Sequence, residues 1–493
     1  MKLVLIKKIL PFIYIIILFF PIYSTIRANF FQQINSDEVA NLQEVFLIAK
    51  GFAPHKDFYS SYPPILHTLL LPIYFLTGPT WDNFLFSRIF MLALFIVRVA
   101  ATLFFVKEVF NKSLAFILLP VIFFDVIFNY ASIQIRPDNL MMTFLALGLL
   151  FLVHAFKKSS KKLFFLSGVL FSLSLLSCIK IAPAIAIISL VSFFYLFKSK
   201  KTNSLFHLIS GLFIPAILFL FFVALSGTLK EMLQNILIDS AAIVNSIASP
   251  TLLGYWLEPH DITFGGFRNL NWAFSWILII FSGAGAYQIF QQVMRHESAQ
   301  KLEPLKLIIS LSFLAQFTTL FLVNSVFMQY YLPIEFFGTI LSSVCLYEIY
   351  QLSAKNSPLL KKSLFALAII LFILMSHSTY KTSQYRTKYN LSSSKTTLQY
   401  RWSQIPELAY TFPNLLFRFP SHPIIAGYFY GDIPDKLLNR LPSVSLSLEE
   451  KKVPYLFLSS SYMNYLKTDV QAYINTHYKR VPGDEDLWTR IQK

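Results

Sequence analysis

The sequence NSDEVANLQEVFLIAKGFAPHKDFYSSYPP, residues 35–64, is the first long polar stretch of an otherwise apolar chain. It begins as a helix, because Asn35 or Ser36 can cap an N-terminus and the acids that follow suit the positive end of the helix dipole. Two interpretations of these acids stay open. Asp37 and Glu38 stabilise the helix and do nothing more, or Asp37 is a catalytic carboxylate held at a membrane surface.

The rest of this helix has two faces. Polar residues, Asp37, Asn41 and Glu44, share one face. Lys50 then lies in the last turn and Gly51 can supply a left-handed stop. The other face is apolar and recurs at helical spacing, with Val39, Leu42, Phe46 and Ala49.

The composition is that of a membrane protein. Only 14% of the 493 residues are charged and 55% are hydrophobic, with 52 Phe and 25 Tyr. A soluble domain usually carries about 25% charged residues, and aromatic residues are typical of membrane interfaces. The formal net charge of +17 would favour nucleic acid binding in a soluble protein. Here most basic residues lie between apolar runs, so we predict membrane lipids and no nucleic acid as partners.

Apolar runs predict about eleven membrane-spanning helices. The first run, 9–26, follows a lysine-rich N-terminus and lacks a small-residue cleavage site, which favours an anchor with a cytoplasmic N-terminus. The run 65–76 is short and contains Pro72, so we expect a re-entrant or interfacial helix there. The later predicted spans are about 84–106, 113–128, 138–156, 163–178, 181–197, 205–225, 271–290, 305–323, 330–350 and 362–380.

Basic residues between the spans predict the orientation of the chain. The loops on the side of the N-terminus hold most of them, as the positive-inside rule requires of the cytoplasm. The outer loops after the first hold Arg136, Lys180, Lys230 and Arg268. Residues 27–83, a large first loop, also lie outside in this assignment. The cytoplasmic set is Lys107, Lys112, Lys157, Lys158, Lys161, Lys162, Lys198, Lys200, Lys201, Arg295, Lys301, Lys355, Lys361 and Lys362.

The chain divides into a polytopic membrane domain, residues 1–380, and a soluble tail, residues 381–493. Charges, prolines and turn residues rise in the tail, whose length is near the usual size of a domain. Its pattern predicts a buried strand over 454–459, a helix over 462–477 and a closing strand over 487–491. The predicted fold is an α-helical integral membrane protein with a small C-terminal extracytoplasmic α/β domain.

Ionisable residues inside predicted spans need a partner or a function, because a charge at the bilayer centre is costly. We expect Arg88 to extend to the membrane interface, and Arg98 to find a carboxylate or carbonyl on a neighbouring helix. Asp125 suits either structure or function. Cys178 and Cys345 lie in or beside apolar runs and predict neither a disulfide framework nor a zinc site.

A second polar motif, Ile135-Arg-Pro-Asp-Asn139, precedes a span on the same predicted face as Asp37. Proline and an acid can simply start this helix, but Arg136 and Asp138 also suit a site. Lys180, at a hairpin tip on that face, is a candidate phosphate ligand or a residue that extends to lipid head groups. Reaction of a lipid-bound phosphate donor needs a carboxylate to activate a hydroxyl and cations to stabilise the departing phosphate.

Taken in order, the motifs resemble those of the polytopic glycosyltransferases of the GT-C fold that use polyprenyl-phosphate sugars. That family includes the protein O-mannosyltransferases and the aminoarabinose transferases of lipid A. The resemblance covers about residues 1–380, and the tail matches in position only. Its motifs are Ser36-Asp-Glu38, Gly51, His55-Lys-Asp-Phe-Tyr59, Tyr62-Pro-Pro-Ile65, Arg136-Pro-Asp138 and Gln329-Tyr-Tyr-Leu-Pro333.

The resemblance implies that Asp37 is the catalytic acid, as a general base or a metal-orienting group, and that Asp138 lines the same cavity. The aminoarabinose transferases have a lysine before the paired prolines, where this chain has Tyr62. The donor phosphate then needs another ligand, or the donor differs. The substrate-binding candidates are Glu38, Lys56, Asp57, Tyr62, Arg136, Lys180 and Arg268.

Metal dependence varies within this fold, so a divalent metal ion is a candidate cofactor. His55, His67 and His260 lie on the predicted outer side, but their spacing is no recognisable metal signature.

We therefore predict an inverting membrane glycosyltransferase that moves a hexosyl or pentosyl group from a polyprenyl-phosphate carrier. The acceptor is a lipid, a glycan or a protein at the outer face. The alternative is a transporter or flippase of lipid-linked sugars, because transporters also contain broken helices and buried charges. The acids cluster at one face beside a large loop and an outer domain, which favours the enzyme.

Overall fold

The computed structural model describes Tyr14, residues 18–129, 132–241, 270–295, 302–322 and 328–387, and parts of the chain between 391 and 491. Helices dominate the membrane domain. They are α1 (residues 18–30), α2 (Ser36–Ala49), α3 (Ile65–Thr77), α4 (Trp81–Val109), α5 (Lys112–Phe124), α6 (Val126–Asn129), α7 (Pro137–Lys158), α8 (Lys161–Ser177), α9 (Ala182–Lys198), α10 (Thr202–Leu225), α11 (Leu229–Leu233), α12 (Leu270–Arg295), α13 (Glu303–Thr319), α14 (Leu332–Asn356) and α15 (Pro358–Arg386).

Among the described residues, seven helices are long and apolar enough to cross a membrane. They are α4, α7, α9 with the turn before it, α10, α12, α14 and α15. The other four predicted spans correspond to α1, α5, α8 and α13, each of which has fewer than 18 residues in the part of the chain that the structure describes. The prediction of a multi-pass α-helical membrane protein is confirmed.

Small residues allow the helices of the membrane domain to pack closely. A Cβ atom added to Gly168 in α8 would collide with the backbone of α10, and one added to Gly211 in α10 would collide with the backbone of α8. Close backbone approach at small residues is the usual way in which helices associate in lipid. Both cysteines, Cys178 and Cys345, are buried and free, as predicted.

Two buried ionisable side chains in this core, Asp125 and Arg98, form hydrogen bonds with other helices. Asp125 lies at the break between α5 and α6, where its Oδ1 accepts hydrogen bonds from the Ile127 amide at 2.9 Å and from Ser275 Oγ at 2.7 Å. Arg98 donates to Asn139 Oδ1 on α7 at 3.3 Å, so it finds a carbonyl on a neighbouring helix as expected. Asp125 thus has a structural role, because it caps the start of α6 where the helix is interrupted after α5.

The first loop folds as two helices joined by a turn-rich segment. Asn35 caps α2 through a hydrogen bond from the Asp37 amide at 2.8 Å, and Gly51 ends the helix in the left-handed region with φ of 88°. The next helix, α3, has 13 residues and contains Pro72. At about 1.5 Å per residue it is too short to span the hydrocarbon core of a bilayer.

The tail contains a four-stranded sheet with strand order β1-β2-β4-β3. The two strands β1 and β2 are parallel, and the other pairings are antiparallel. Phe457 and Leu487, which face each other in the β2–β4 register, pack in one apolar cluster with α2 and α3. The strands are β1 (Ala409–Phe412), β2 (Tyr455–Leu458), β3 (Tyr478–Arg480) and β4 (Leu487–Arg490), and the helices are α16 (Val444–Glu450) and α17 (Thr468–His477).

The predicted α/β character of the tail is confirmed, with strands and a helix close to the predicted ranges. The sequence did not predict β1, α16 or β3, which have four, seven and three residues. Through this apolar cluster the sheet packs against the helices of the first loop.

Candidate active site at the N-terminal ends of two helices

Two helix N-termini bring four charged side chains into a row. Asp37 lies in the first turn of α2, and Asp138 lies in the first turn of α7. Arg136 lies between them, since its Nη1 forms an ion pair with Asp37 and its Nε lies 3.5 Å from Asp138 Oδ2. Lys180 completes the row by donating to Asp138 Oδ1 at 2.9 Å. The structure thus brings together four of the residues that the sequence predicted.

Aromatic rings flank the lysine at the end of this row. The Lys180 Nζ lies 5.9 Å from the ring centroid of Tyr62 and 4.8 Å from that of Tyr330. At these distances a ring attracts the ammonium group through its quadrupole. Gln316 donates to the backbone carbonyl of Lys180 at 3.3 Å and anchors the turn that carries it. The Gln329–Pro333 motif therefore reaches the site through Tyr330.

The two carboxylates of the row differ in their access to solvent. The side chain of Asp37 is 40% exposed, whereas that of Asp138 is 3% exposed. Asp138 is enclosed between Lys180 and Arg136, and its interactions fix it as an ionic partner of both. Asp37 is therefore the solvent-accessible carboxylate of the two.

Glu38, next to Asp37, is fully buried and supports the site from behind. Its Oε1 accepts from Arg88 Nε at 2.8 Å and from the Ile135 amide at 3.2 Å. Its Oε2 accepts from Arg88 Nη2 at 2.6 Å and from the Asn35 amide at 3.1 Å, which completes a capping box. We predicted Glu38 as a substrate ligand, but both of its oxygens are used within the protein.

Arg88 also differs from its expectation. The prediction that it extends to the membrane interface is wrong, because the residue is fully buried and forms a two-point ion pair with Glu38. It also donates to the carbonyls of Phe30 and Gln32, at the end of α1. The sequence could not show that a carboxylate fifty residues away faces this arginine.

The remaining predicted ligands lie elsewhere or outside the described residues. Lys56 is exposed on a turn, and its neighbour Asp57 closes that turn by accepting from the Ala53 amide at 2.7 Å. Their substrate contacts stay predictions. Arg268 and His260 lie outside the described residues.

A buried hydrogen-bonded network lies behind the site, two turns along α2. Glu44 Oε2 accepts from Ser60 Oγ at 2.7 Å and lies 3.4 Å from His67 Nε2, which also contacts Asn41 Oδ1 at 3.0 Å. Burial raises the pKa of Glu44 to about 8 and lowers the pKa of His67 to about 3, so both groups are mainly neutral near pH 7. The sequence analysis did not predict this network, although it placed Asn41 and Glu44 on the polar face of α2.

The described residues contain no group of three or more His, Cys, Asp or Glu placed to hold a metal ion. At the site, the space between the two aspartates is occupied by the Arg136 guanidinium. The row combines two carboxylates with one guanidinium and one ammonium group, so its formal charges balance. Burial lowers the pKa of His55, a further candidate ligand, to about 4.

No protein family and no curated protein sequence matches the chain. Solved structures are similar to it over nearly its whole length. ArnT from Cupriavidus metallidurans bound to undecaprenyl phosphate has a TM-score of 0.60 at 12% identity, with 97% of both chains covered. AglB, the oligosaccharyltransferase of Archaeoglobus fulgidus, in complex with an inhibitory peptide and a dolichol-phosphate, has a TM-score of 0.58 at 11% identity. That match covers 98% of this chain and 75% of AglB.

A third structure, the Archaeoglobus fulgidus oligosaccharyltransferase in complex with Zn and sulfate, has a TM-score of 0.54 at 12% identity. The match covers 94% of this chain and 71% of the oligosaccharyltransferase chain. The chain therefore has the GT-C fold, as its motif order suggested.

Proposed function

We propose that the protein is a membrane glycosyltransferase that transfers a sugar from a polyprenyl-phosphate carrier to an acceptor hydroxyl. One observation carries the proposal. An exposed carboxylate, Asp37, lies next to the cations Arg136 and Lys180 at the N-termini of two helices, within a GT-C fold. A base beside an anion site is the pair of groups that this reaction requires.

Asp37 acts as the general base in this proposal. Its carboxylate removes the proton of the acceptor hydroxyl while the acceptor oxygen attacks the anomeric carbon of the sugar. The bond between that carbon and the phosphate oxygen breaks, the polyprenyl phosphate leaves with the electron pair, and the configuration of the sugar inverts. The exposure of Asp37 favours it over the enclosed Asp138 for this role.

Lys180 and Arg136 bind the donor phosphate in this proposal. Tyr62 occupies the position before the paired prolines, and Lys180 Nζ lies 5.9 Å from the centre of its ring. Lys180 thus places an ammonium group near Tyr62, the position at which the aminoarabinose transferases have a lysine. The side chain of Arg136 is 4% exposed and holds Asp37, so in this proposal it acts on the phosphate through its charge, while Lys180 makes the direct contact.

Asp138 orients these cations, because it accepts from Lys180 and lies within 3.5 Å of Arg136. The lipid-phosphate class of donor is supported by the undecaprenyl phosphate bound to ArnT and the dolichol-phosphate bound to AglB. The positive-inside pattern supports an active site and a tail at the outer face of the cell membrane. A lipid, glycan or protein hydroxyl is the acceptor.

A divalent metal ion, if the enzyme uses one, would supply further charge neutralisation at the phosphate. Asp37 and Asp138 are the carboxylates nearest to that charge. In the steps above, the positive charge near the phosphate comes from Arg136 and Lys180, so these steps are described with side chains alone.

The test uses cells that produce either the wild-type protein or Asp37→Asn at equal membrane levels. Mass spectrometry of their lipid carriers and glycans should show a polyprenyl-phosphate sugar that accumulates with Asp37→Asn and a glycan that disappears. The accumulated lipid, radiolabelled in its sugar, is then incubated with wild-type protein in detergent.

Transfer of the label to a second molecule in detergent establishes a transferase, because a transporter or flippase has no compartments to act between. Near-normal glycans in cells that contain Asp37→Asn would overturn the proposal. So would a purified protein that binds the lipid but leaves the label on its carrier when the acceptor fraction is present.

A further inference from the structure

The backbone of Ile135, directly before Arg136, is held at both its N–H and its carbonyl by side chains of α2. Its N–H donates to Glu38 Oε1 at 3.2 Å, and its carbonyl accepts from Asn41 Nδ2 at 3.0 Å. Residues 38 and 41 lie one turn apart on the helix, so they grip the two ends of one residue. The chain then continues into Arg136, which pairs with Asp37 on the same helix.

Each of these two side chains has its own buried support. Glu38 is fixed by the two-point ion pair with Arg88 from α4. Asn41 is fixed by His67 from α3, whose Nε2 lies 3.0 Å from Asn41 Oδ1. Arg88 and His67 are both fully buried. One support is therefore ionic and the other is a hydrogen bond from a neutral ring.

The pattern of bonds determines which atom of His67 carries the hydrogen. Asn41 Nδ2 donates to the Asp37 carbonyl at 2.7 Å and to the Ile135 carbonyl, so Oδ1 is the acceptor that faces the imidazole. Nε2 of His67 must then be the protonated nitrogen. Burial keeps the ring neutral, since it lowers the pKa of His67 to about 3.

We propose that Glu38 and Asn41 together hold the backbone N–H and carbonyl of Ile135, and that this clamp places Arg136 beside Asp37. In this arrangement His67 is a positioning residue, because it holds the Asn41 side chain in the orientation that binds the Ile135 carbonyl. The proposal rests on the function proposed for Asp37. Without the N–H of His67, Asn41 Oδ1 loses its hydrogen bond, and the amide keeps only its two bonds to the backbone carbonyls of Asp37 and Ile135. An amide that rotates to find another donor for its oxygen weakens the bond to the Ile135 carbonyl, which opens the clamp and displaces Arg136.

Two substitutions of His67 separate this role from simple packing. Glutamine places an amide nitrogen near the position of Nε2, whereas asparagine is shorter and leaves it near Nδ1. In His67→Asn we expect kcat to fall about 10- to 100-fold, as for other displacements of about 1 Å at reacting groups. We expect KM to stay within about threefold, and His67→Gln to restore most of kcat.

The matched control is Asn83→Ala. Asn83 is a buried amide at the start of α4 that donates to Thr77 Oγ1 at 3.2 Å and takes no part in the clamp. Its loss should lower the melting temperature in detergent by an amount similar to that for His67→Asn, with kcat close to wild type. Equal kcat in the Gln and Asn variants of His67, or a loss of kcat in Asn83→Ala as large as in His67→Asn, overturns the proposal.

A second readout does not depend on activity. Hydrogen–deuterium exchange of peptides that contain the Ile135 amide should be faster in His67→Asn than in His67→Gln or the wild type. Unchanged exchange at Ile135 in His67→Asn sinks the clamp. Full transfer activity of Asp37→Asn would contradict the proposed function and not the clamp. The exchange rate at Ile135 would then be the measurement that tests the clamp.

Discussion

The two ends of the polar face of α2 carry carboxylates in opposite environments. Asp37, at the N-terminal end, is 40% exposed and forms an ion pair with Arg136. Glu44, two turns further on, is 5% exposed and contacts the neutral groups Ser60 and His67. Both carboxyl groups lie on the same face of the same helix, so the difference in their exposure comes from the groups that cover each end.

This difference assigns chemistry to one end and support to the other. A carboxylate that reaches solvent beside a guanidinium is placed to accept a proton from a substrate. A carboxyl group covered by apolar helices has its pKa raised, and at Glu44 burial raises it to about 8. It then serves as a neutral member of a hydrogen-bonded network. The charged state of an acid therefore depends on its cover more than on its place in the helix.

The same chemical change at both ends is the strongest test of this comparison. Asp37→Asn and Glu44→Gln each replace a carboxylate by an amide of nearly the same shape. We expect Asp37→Asn to lower kcat by about 10²- to 10⁴-fold, the usual effect of losing a general base. Glu44→Gln should lower it by less than about fivefold, because an amide can still accept from Ser60. The measurement is transfer of radiolabelled sugar by purified protein, and similar losses in the two variants would abolish the distinction.

The second test breaks the buried ion pair behind the exposed end. Arg88→Met leaves the Glu38 carboxylate buried without its partner, which should destabilise the fold by about 3–5 kcal/mol. The double variant Arg88→Met/Glu38→Leu removes both charges and should regain most of that stability. Thermal unfolding in detergent measures both.

Activity separates the two tasks of Glu38 in the same variants. The double variant regains stability but lacks the oxygen that grips the Ile135 amide, so its kcat should stay below that of the wild type. A double variant as unstable as Arg88→Met would show that the ion pair does not hold this end of α2. A stable double variant with wild-type kcat would show that Glu38 does not position the site.

Sequence alone predicted the charged residues around Asp37, at the exposed end of α2, better than the network around Glu44, at the buried end. Asp37, Arg136 and Asp138 stand in short motifs at helix starts, where capping rules and topology place them with few alternatives. The structure then supplied their ion pairs. The spans and the tail followed from long apolar runs and a change in composition, which are strong signals.

The buried end depends on contacts between distant segments. His67 lies in an apolar helix and Ser60 in a loop, and nothing local shows that both face Glu44. Arg88 gave a wrong prediction for the same reason, because its partner Glu38 comes from a different helix. Local patterns predict elements and their faces, whereas the pairing of faces depends on tertiary packing.

The third test asks whether the cations at the exposed end bind phosphate. Lys180→Met removes an ammonium group that lies between Asp138 and the rings of Tyr62 and Tyr330. We expect the Kd for undecaprenyl phosphate to rise about 10- to 100-fold, since a charge-assisted bond contributes about 1.5–3 kcal/mol. Native mass spectrometry of the protein in detergent measures this binding.

Lys50→Met is the matched control for that experiment. Lys50 follows the C-terminal end of α2, where its ammonium group lies over the Phe46 ring. Its loss removes an equal charge from the same predicted face of the membrane, but away from the site. If both variants weaken binding equally, general attraction of the anion explains the effect and Lys180 is not a specific ligand.

The smallest expected effect is a pH dependence of stability at the buried end. Since burial raises the pKa of Glu44 from 4.5 to about 8, its contribution to stability is present below pH 4.5 and is lost as the pH rises through 8. The lowered pKa values of His55 and His67 act in the opposite sense, but their contributions are lost only as the pH falls below 6.5. Tyr59, which also faces Glu44, has a pKa raised above 10.

Glu44 is therefore the member of this network that titrates between pH 6.5 and 8.5. Over that range the wild type should lose about 1–2 kcal/mol more stability than Glu44→Gln, or about 2 °C in melting temperature. Asp37→Asn is the control, because it removes a carboxylate from the other end of the same helix and leaves Glu44 in place. Parallel pH profiles of the wild type and Glu44→Gln would mean that Glu44 is ionised at neutral pH, and the two ends of the helix would then not differ in charge.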